Sequence, residues 1–206
     1  MKVKDSLRIS GKIKIDTFRA GMVELVTPLL EHLKALKDSD LPTHSYLNRR
    51  TEIDLVKKKI DELKAAYFIQ TAVECPNLIM DSPNYGLDLV IQRLVGINTY
   101  SGNILWIEIG TGSTTPTVND TALTTPTLRA AVNFQEDYAT TDAIVQCYIT
   151  DAQLANATYK EIGGFVDGTS TIGTGQIFNH ALLSPTYGKV AGQDTTIQID
   201  ISVSNS

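Results

Sequence analysis

The sequence predicts a mainly β protein with an α insertion: an antiparallel β-sandwich plus a helical hairpin. Three observations predict it. Several segments alternate apolar and polar residues with period two, and turns rich in Gly, Thr, Asn and Pro separate them. Before Phe68 one stretch instead spaces its apolar residues by three and four, the helical period. Charge divides along the chain in the same way: the first 64 residues carry 14 Lys/Arg against 10 Asp/Glu, and the remainder 4 against 13. The expected units are 1–27, N-terminal strands that join the β domain; 28–67, a helical insertion; and 68–206, the β-sandwich domain.

Leu7, Ile9, Ile13 and Ile15 alternate with Arg8, Lys12, Lys14 and Asp16, which reads as a half-buried strand with a bulge or close contact at Gly11. Arg19-Ala20-Gly21 turns the chain, and Met22–Val26 reads as a strand pairing back. Thr27-Pro28 has the form of a helix start, Thr as N-cap and Pro at the first helical position. Leu29, Leu30, Leu33 and Leu36 give that helix one apolar face, and Asp38 to Pro42 ends it. A second helix is expected from about Thr51, with Asp54 completing a capping box. Its apolar positions Ile53, Val56, Ile60, Leu63 and Tyr67 step by 3, 4, 3 and 4, a heptad seam. Two heptads do not hold as an isolated helix in water, so the seam must pack on Leu29–Leu36, on the β domain or on copies of itself.

Beyond Phe68, Val73–Met80 reads as a strand. Gly86–Leu94 reads as a short helix with Leu87, Val90, Ile91 and Leu94 inward. Strands are expected at Ile104–Ile109, Leu128–Phe134, Ala143–Ile149, Tyr159–Val166, Gln176–Leu183 and Thr196–Val203. The last alternates most regularly, with Ile197, Ile199, Ile201 and Val203 inward. Residues 110–127 form a polar loop with eight Thr and two Pro. A loop this long in a compact domain is functional or lies over a partner. The second reading makes Thr115, Pro116, Thr121 and Leu123 interface candidates beside the seam residues Ile53, Val56, Ile60, Leu63 and Tyr67.

Composition narrows the function. Of 206 residues 42% are apolar and 20% charged, and the net charge is −5. With a pI near 5.2, nothing in the overall charge attracts nucleic acid. Mean hydropathy is −0.04, no apolar run suggests a membrane span, and the N-terminal residues do not resemble a signal peptide. Cys75 and Cys147 read as buried thiols. No Cys/His spacing suggests a metal site, so neither metal nor cofactor is expected.

A search for chemistry gives no catalytic constellation, and the expectation is a protein that is not an enzyme. His32, His44 and His180 are widely spaced and have no evident partner. Gly110-Thr111-Gly112-Ser113 lacks the Lys a phosphate loop requires, since no Lys occurs in 65–159. Glu108, Glu136, Asp137 and Asp142 read as solvated carboxylates. Lys57-Lys58-Lys59 with Arg49 and Arg50 is a basic cluster, but interleaved acids make it the solvated face of an amphipathic helix.

One stretch carries a resemblance. Trp106-Ile107-Glu108-Ile109-Gly110-Thr111-Gly112 is followed by Thr115-Pro116, Asn119-Asp120-Thr121-Ala122-Leu123 and Arg129. Glu161-Ile162-Gly163-Gly164-Phe165 and Asp167-Gly168 come later, and Pro76-Asn77-Leu78-Ile79 and Gly86-Leu87-Asp88-Leu89 lie upstream. This order, over roughly 75–168, resembles a pattern in virion proteins of tailed bacteriophages. Gly164-Phe165 departs from it, and segment 28–67 has no place in it. The resemblance implies a structural component of the particle, most readily tail-associated (fibre, collar or baseplate), acting by protein–protein assembly. Alternatives are a capsid decoration or head–tail connector protein, or a receptor- or carbohydrate-binding module. The implied partners are copies of the chain and other virion proteins, with a host surface receptor as a further candidate and neither nucleic acid nor membrane. The implied location is the virion, assembled in the host cytoplasm.

Overall fold

A computed structural model describes residues 7–38 and 46–205. The protein is mainly β, 45% strand and 24% helix; among the described residues nine antiparallel strands form one curled, half-barrel sheet, with three helices. In chain order the elements are β1 (Leu7–Arg19), α1 (Met22–Asp38), α2 (Tyr46–Tyr67), β2 (Phe68–Ile79), α3 (Gly86–Leu94), β3 (Ile104–Gly110), β4 (Pro126–Ala131), β5 (Phe134–Ala139), β6 (Asp142–Ile149), β7 (Thr158–Val166), β8 (Gln176–Gly188) and β9 (Gln193–Asn205). Across the sheet the order is β4-β3-β7-β8-β2-β1-β9-β6-β5.

The curl follows from one connection. β4 and β5 lie at opposite edges of the sheet, yet only Val132 and Asn133 separate them in sequence. The three Cα steps from Ala131 to Phe134 reach about 11 Å at most, so the edges must approach each other. At the crossing, Val132 N–H donates to Leu105 O of β3 (2.9 Å) and Asn133 N–H to Gln146 O of β6 (2.9 Å). The Gln135 side chain then donates to Ile104 O (2.6 Å). The expected sandwich of two packed sheets is therefore corrected to one sheet bent around its own core. The expected strand Leu128–Phe134 is the site of that bend and splits into β4 and the start of β5.

Alternation fills the concave side. Ile13 and Ile15 of β1, Val73 and Cys75 of β2, Ile107 and Ile109 of β3, Val145 and Cys147 of β6, and Ile197 and Ile199 of β9 form one buried cluster. Strands far apart in sheet order share this cluster, as a curled sheet requires. Both cysteines are free thiols, and burial pushes the Cys147 thiol up to about 12. β1 pairs antiparallel with β2 on one side and with β9 on the other, so the N-terminal strand lies at the centre of the sheet.

Several local expectations are corrected. Met22–Val26 is the first part of α1 and not a strand. Gly21, at φ 95°, breaks the extended chain, and the buried Asp194 carboxylate accepts the Val23 N–H (2.9 Å), satisfying an end-of-helix donor. Pro28 thus lies inside the helix and does not start it. α2 begins at Tyr46, so Thr51 and Asp54 are interior positions without a capping role. His44 and the rest of 39–45 lie outside the described residues. In α3, Leu89 is buried while Ile91 and Leu94 are exposed; the helix is so short that only one side meets the sheet.

The heptad seam packs within the chain. Val56 and Ile60 are buried against Val26, Leu30 and Leu33 of α1 and against Phe18 and Tyr148 of the sheet. Ile53, Leu63 and Tyr67 are half-buried on the same cluster.

Candidate functional site

Four buried ionisable residues, Glu108, Arg129, Glu161 and His180, gather on the convex side of β3, β4, β7 and β8. Register places Arg129 (β4), Glu108 (β3), Gly163 (β7), His180 (β8) and Leu78 (β2) in one row across five strands. Charged side chains in strands otherwise built for burial need partners. Two loops, 111–125 and 167–175, supply many of them.

Glu161, in β7, is fully buried. Its Oε1 accepts the N–H groups of Gly112 (3.0 Å) and Thr125 (2.6 Å), and its Oε2 accepts that of Thr124 (2.9 Å). One carboxylate thus gathers both ends of the first loop. The glycines are required by this closeness: a Cβ on Gly110 or Gly112 would collide with Glu161 Oε1. Leu123, 5% exposed, anchors the same loop in an apolar cluster with Phe165, Ile177 and Met80.

His180 links the loop's middle to the same carboxylate. Nδ1 lies 2.7 Å from Asp120 Oδ2, and Nε2 lies 3.3 Å from Glu161 Oε2. Asp120 also accepts the Thr117 N–H (3.0 Å) and hydroxyl (2.7 Å).

Burial acts to raise the Asp120 carboxyl, but its bonds from Thr117 and His180 outweigh this and hold it below the ordinary 3.8. A depressed carboxyl contributes stability above its unfolded value and loses it as pH falls through the folded value. Wild type is therefore expected to exceed Asp120→Asn in thermal stability by a constant margin at neutral pH. That margin narrows as pH drops below 3.8. Equal melting temperatures at neutral pH would contradict the assignment.

The second half of the site is an ion pair. Arg129 Nη1 donates to Glu108 Oε1 (2.6 Å), with side chains 1% and 0% exposed. Arg129 also donates to Thr169 O (2.8 Å) and Thr174 O (2.7 Å), and Glu108 accepts the Gly173 N–H (2.8 Å). The guanidinium lies over the rings of Trp106 (5.2 Å) and Phe165 (5.0 Å). The pair thereby fixes the 167–175 loop to the sheet.

Chemically this is a clamp. Glu161, Asp120, Arg129 and Glu108 each bond loop backbone, and His180, 1% exposed, links the first two carboxylates. Among the described residues no group of three or more His, Cys, Asp or Glu is placed to hold a metal ion, and no helix is long and apolar enough to cross a membrane. Two histidines read as partnerless have partners: His180, and His32, 3.0 Å from Glu52. Of the carboxylates read as solvated, Glu108 is buried, and Glu136 pairs with Lys57. Of the loop candidates, Thr115 and Thr121 are exposed, Pro116 is half-buried and Leu123 is buried in its own chain. Buried Glu161 and His180 hold the loop down on its own sheet.

Glu161 was visible in sequence only through the resemblance, and its pairing with His180 not at all. An available signal was a charged residue among apolar strand neighbours, as in Trp106-Ile107-Glu108-Ile109 and Glu161-Ile162-Gly163. Comparison with family models, curated proteins and solved structures gave no match.

Proposed function

We propose that the chain is a structural component of a bacteriophage particle, tail-associated, acting by assembly with copies of itself and other virion proteins. One observation carries the reading. Seven of the residues on which the resemblance rests build the clamp: Gly110 and Gly112, Asp120, Leu123, Arg129, Glu108 and Glu161. A motif that fixes two loops onto a curled sheet makes a rigid presenting surface, which an assembly part needs. Thr115 and Thr121 stand exposed on it. In this reading α1 and α2 form a helical hairpin inserted between β1 and β2, adding a second surface at the far side of the sheet.

The test is particle composition. Peptides of this chain are expected in density-gradient-purified phage particles encoded by the same genome, in fixed ratio to the other particle proteins. Recovery only from the unassembled fraction would overturn the proposal.

A further inference from the structure

A cavity of about 240 Å³ lies between α2 and the convex side of β5, β6 and β9, away from the loop clamp. By volume it has room for about eight waters. α2 contributes Ile60, Asp61 and Lys64, and β6 contributes Gln146 and Tyr148. Lys57, paired with Glu136, closes another part of the wall.

Lys64 is the unusual member. Its ammonium has three donors, and among the described residues its one hydrogen bond is to Tyr148 Oη (3.3 Å), over whose ring it also lies (5.5 Å). Among the described residues no carboxylate lies within ion-pair distance of it. Burial holds its pKa below the usual 10.5, with Asp61 and Asp16 opposing from a distance. Asp61 lines the same cavity without pairing with Lys64. A donor and an acceptor thus face one space and do not neutralise each other.

The far wall is fixed. Tyr148 Oη donates to Gln146 Oε1 (2.9 Å), Gln146 Nε2 donates to Gln198 Oε1, and Gln198 Nε2 donates to Asp200 Oδ1 (2.5 Å). This one-way chain commits the tyrosine proton and leaves its lone pairs toward Lys64.

We infer that the cavity binds a neutral polyol, a single sugar ring. Two lysines and two carboxylates line it, so an anion meets Asp61 and Glu136 and a cation meets Lys57 and Lys64. A hydroxyl is donor and acceptor at once and bridges Lys64 to Asp61. Ile60, Phe134 and Ile144 supply the apolar wall against which the C–H face of a ring packs. The inference does not depend on the assembly reading.

The test is an NMR titration of the full chain with glucose, galactose and mannose, and separately with acetate and phosphate. At least one hexose is expected to give saturable shifts at Ile60, Lys64, Phe134 and Tyr148 at concentrations up to about 100 mM. Lys64→Met, which keeps the apolar stem, and Asp61→Asn, at an exposed position, are each expected to weaken binding about tenfold. The inference is overturned if no hexose gives saturable shifts, if acetate or phosphate moves these signals instead, or if Asp61→Asn binds as wild type does. Should Lys64→Met fail to fold, Asp61→Asn alone decides.

Discussion

A chain lacking residues 1–20 is expected to show no cooperative unfolding transition. β1 is the sixth of nine strands in the sheet order, hydrogen-bonded to β2 and β9. Its removal opens two strand edges in the middle of the sheet. It also removes Ile13, Ile15 and Phe18, which are 0%, 0% and 1% exposed. Three such side chains contribute about 5–9 kcal/mol by burial alone, and domains are stable by only about 5–15 kcal/mol. Circular dichroism during a thermal scan checks this. A sharp transition near the wild-type temperature would show that 21–206 folds without β1.

Arg129→Met is expected to lower stability by about 3–5 kcal/mol, because it strands the Glu108 carboxylate in a site with 0% exposure. The loss belongs to the unpaired charge, so Glu108→Gln added to Arg129→Met should recover a substantial part of it. Glu108 Oε2 has no hydrogen-bond partner even in the intact site, so the wild-type pair is already imperfectly compensated. Urea denaturation of the single and double variants checks both statements. A double variant no more stable than Arg129→Met would contradict the assignment of the loss to the unpaired Glu108 charge.

Local patterning made most strands legible, because each carries its own period-two alternation. β9 and β3 were readable for that reason. β5 was not: Phe-Gln-Glu-Asp-Tyr-Ala is an edge strand with little to bury, and its place is set by the crossing at Val132–Asn133. The start of α1 was missed because Val23, Leu25 and Val26 suit a strand, while the group that caps the helix, Asp194, lies 171 residues away. The curl was equally hidden, since it depends on which strands end at the sheet edges. The site was less legible than the fold. Alternation exposes a strand, but only register shows that Arg129 meets Glu108 and that Gly163 lies between Glu108 and His180, where it leaves room for Leu123. Asp120 and Glu161 are 60 and 19 residues from His180 in sequence.

Glu161 holds the loop 110–125 rigidly on its own sheet. Amide hydrogen exchange in the free, unassembled chain tests it directly. The amides of Gly112, Thr124 and Thr125 are expected to exchange slowly in wild type, like those within the sheet. Glu161→Gln should make Thr124 fast in one orientation of the new amide, or Gly112 and Thr125 in the other, because each places an NH₂ against a backbone N–H. Fast exchange of these amides in wild type, at the rate of exposed residues such as Thr115, would contradict the account.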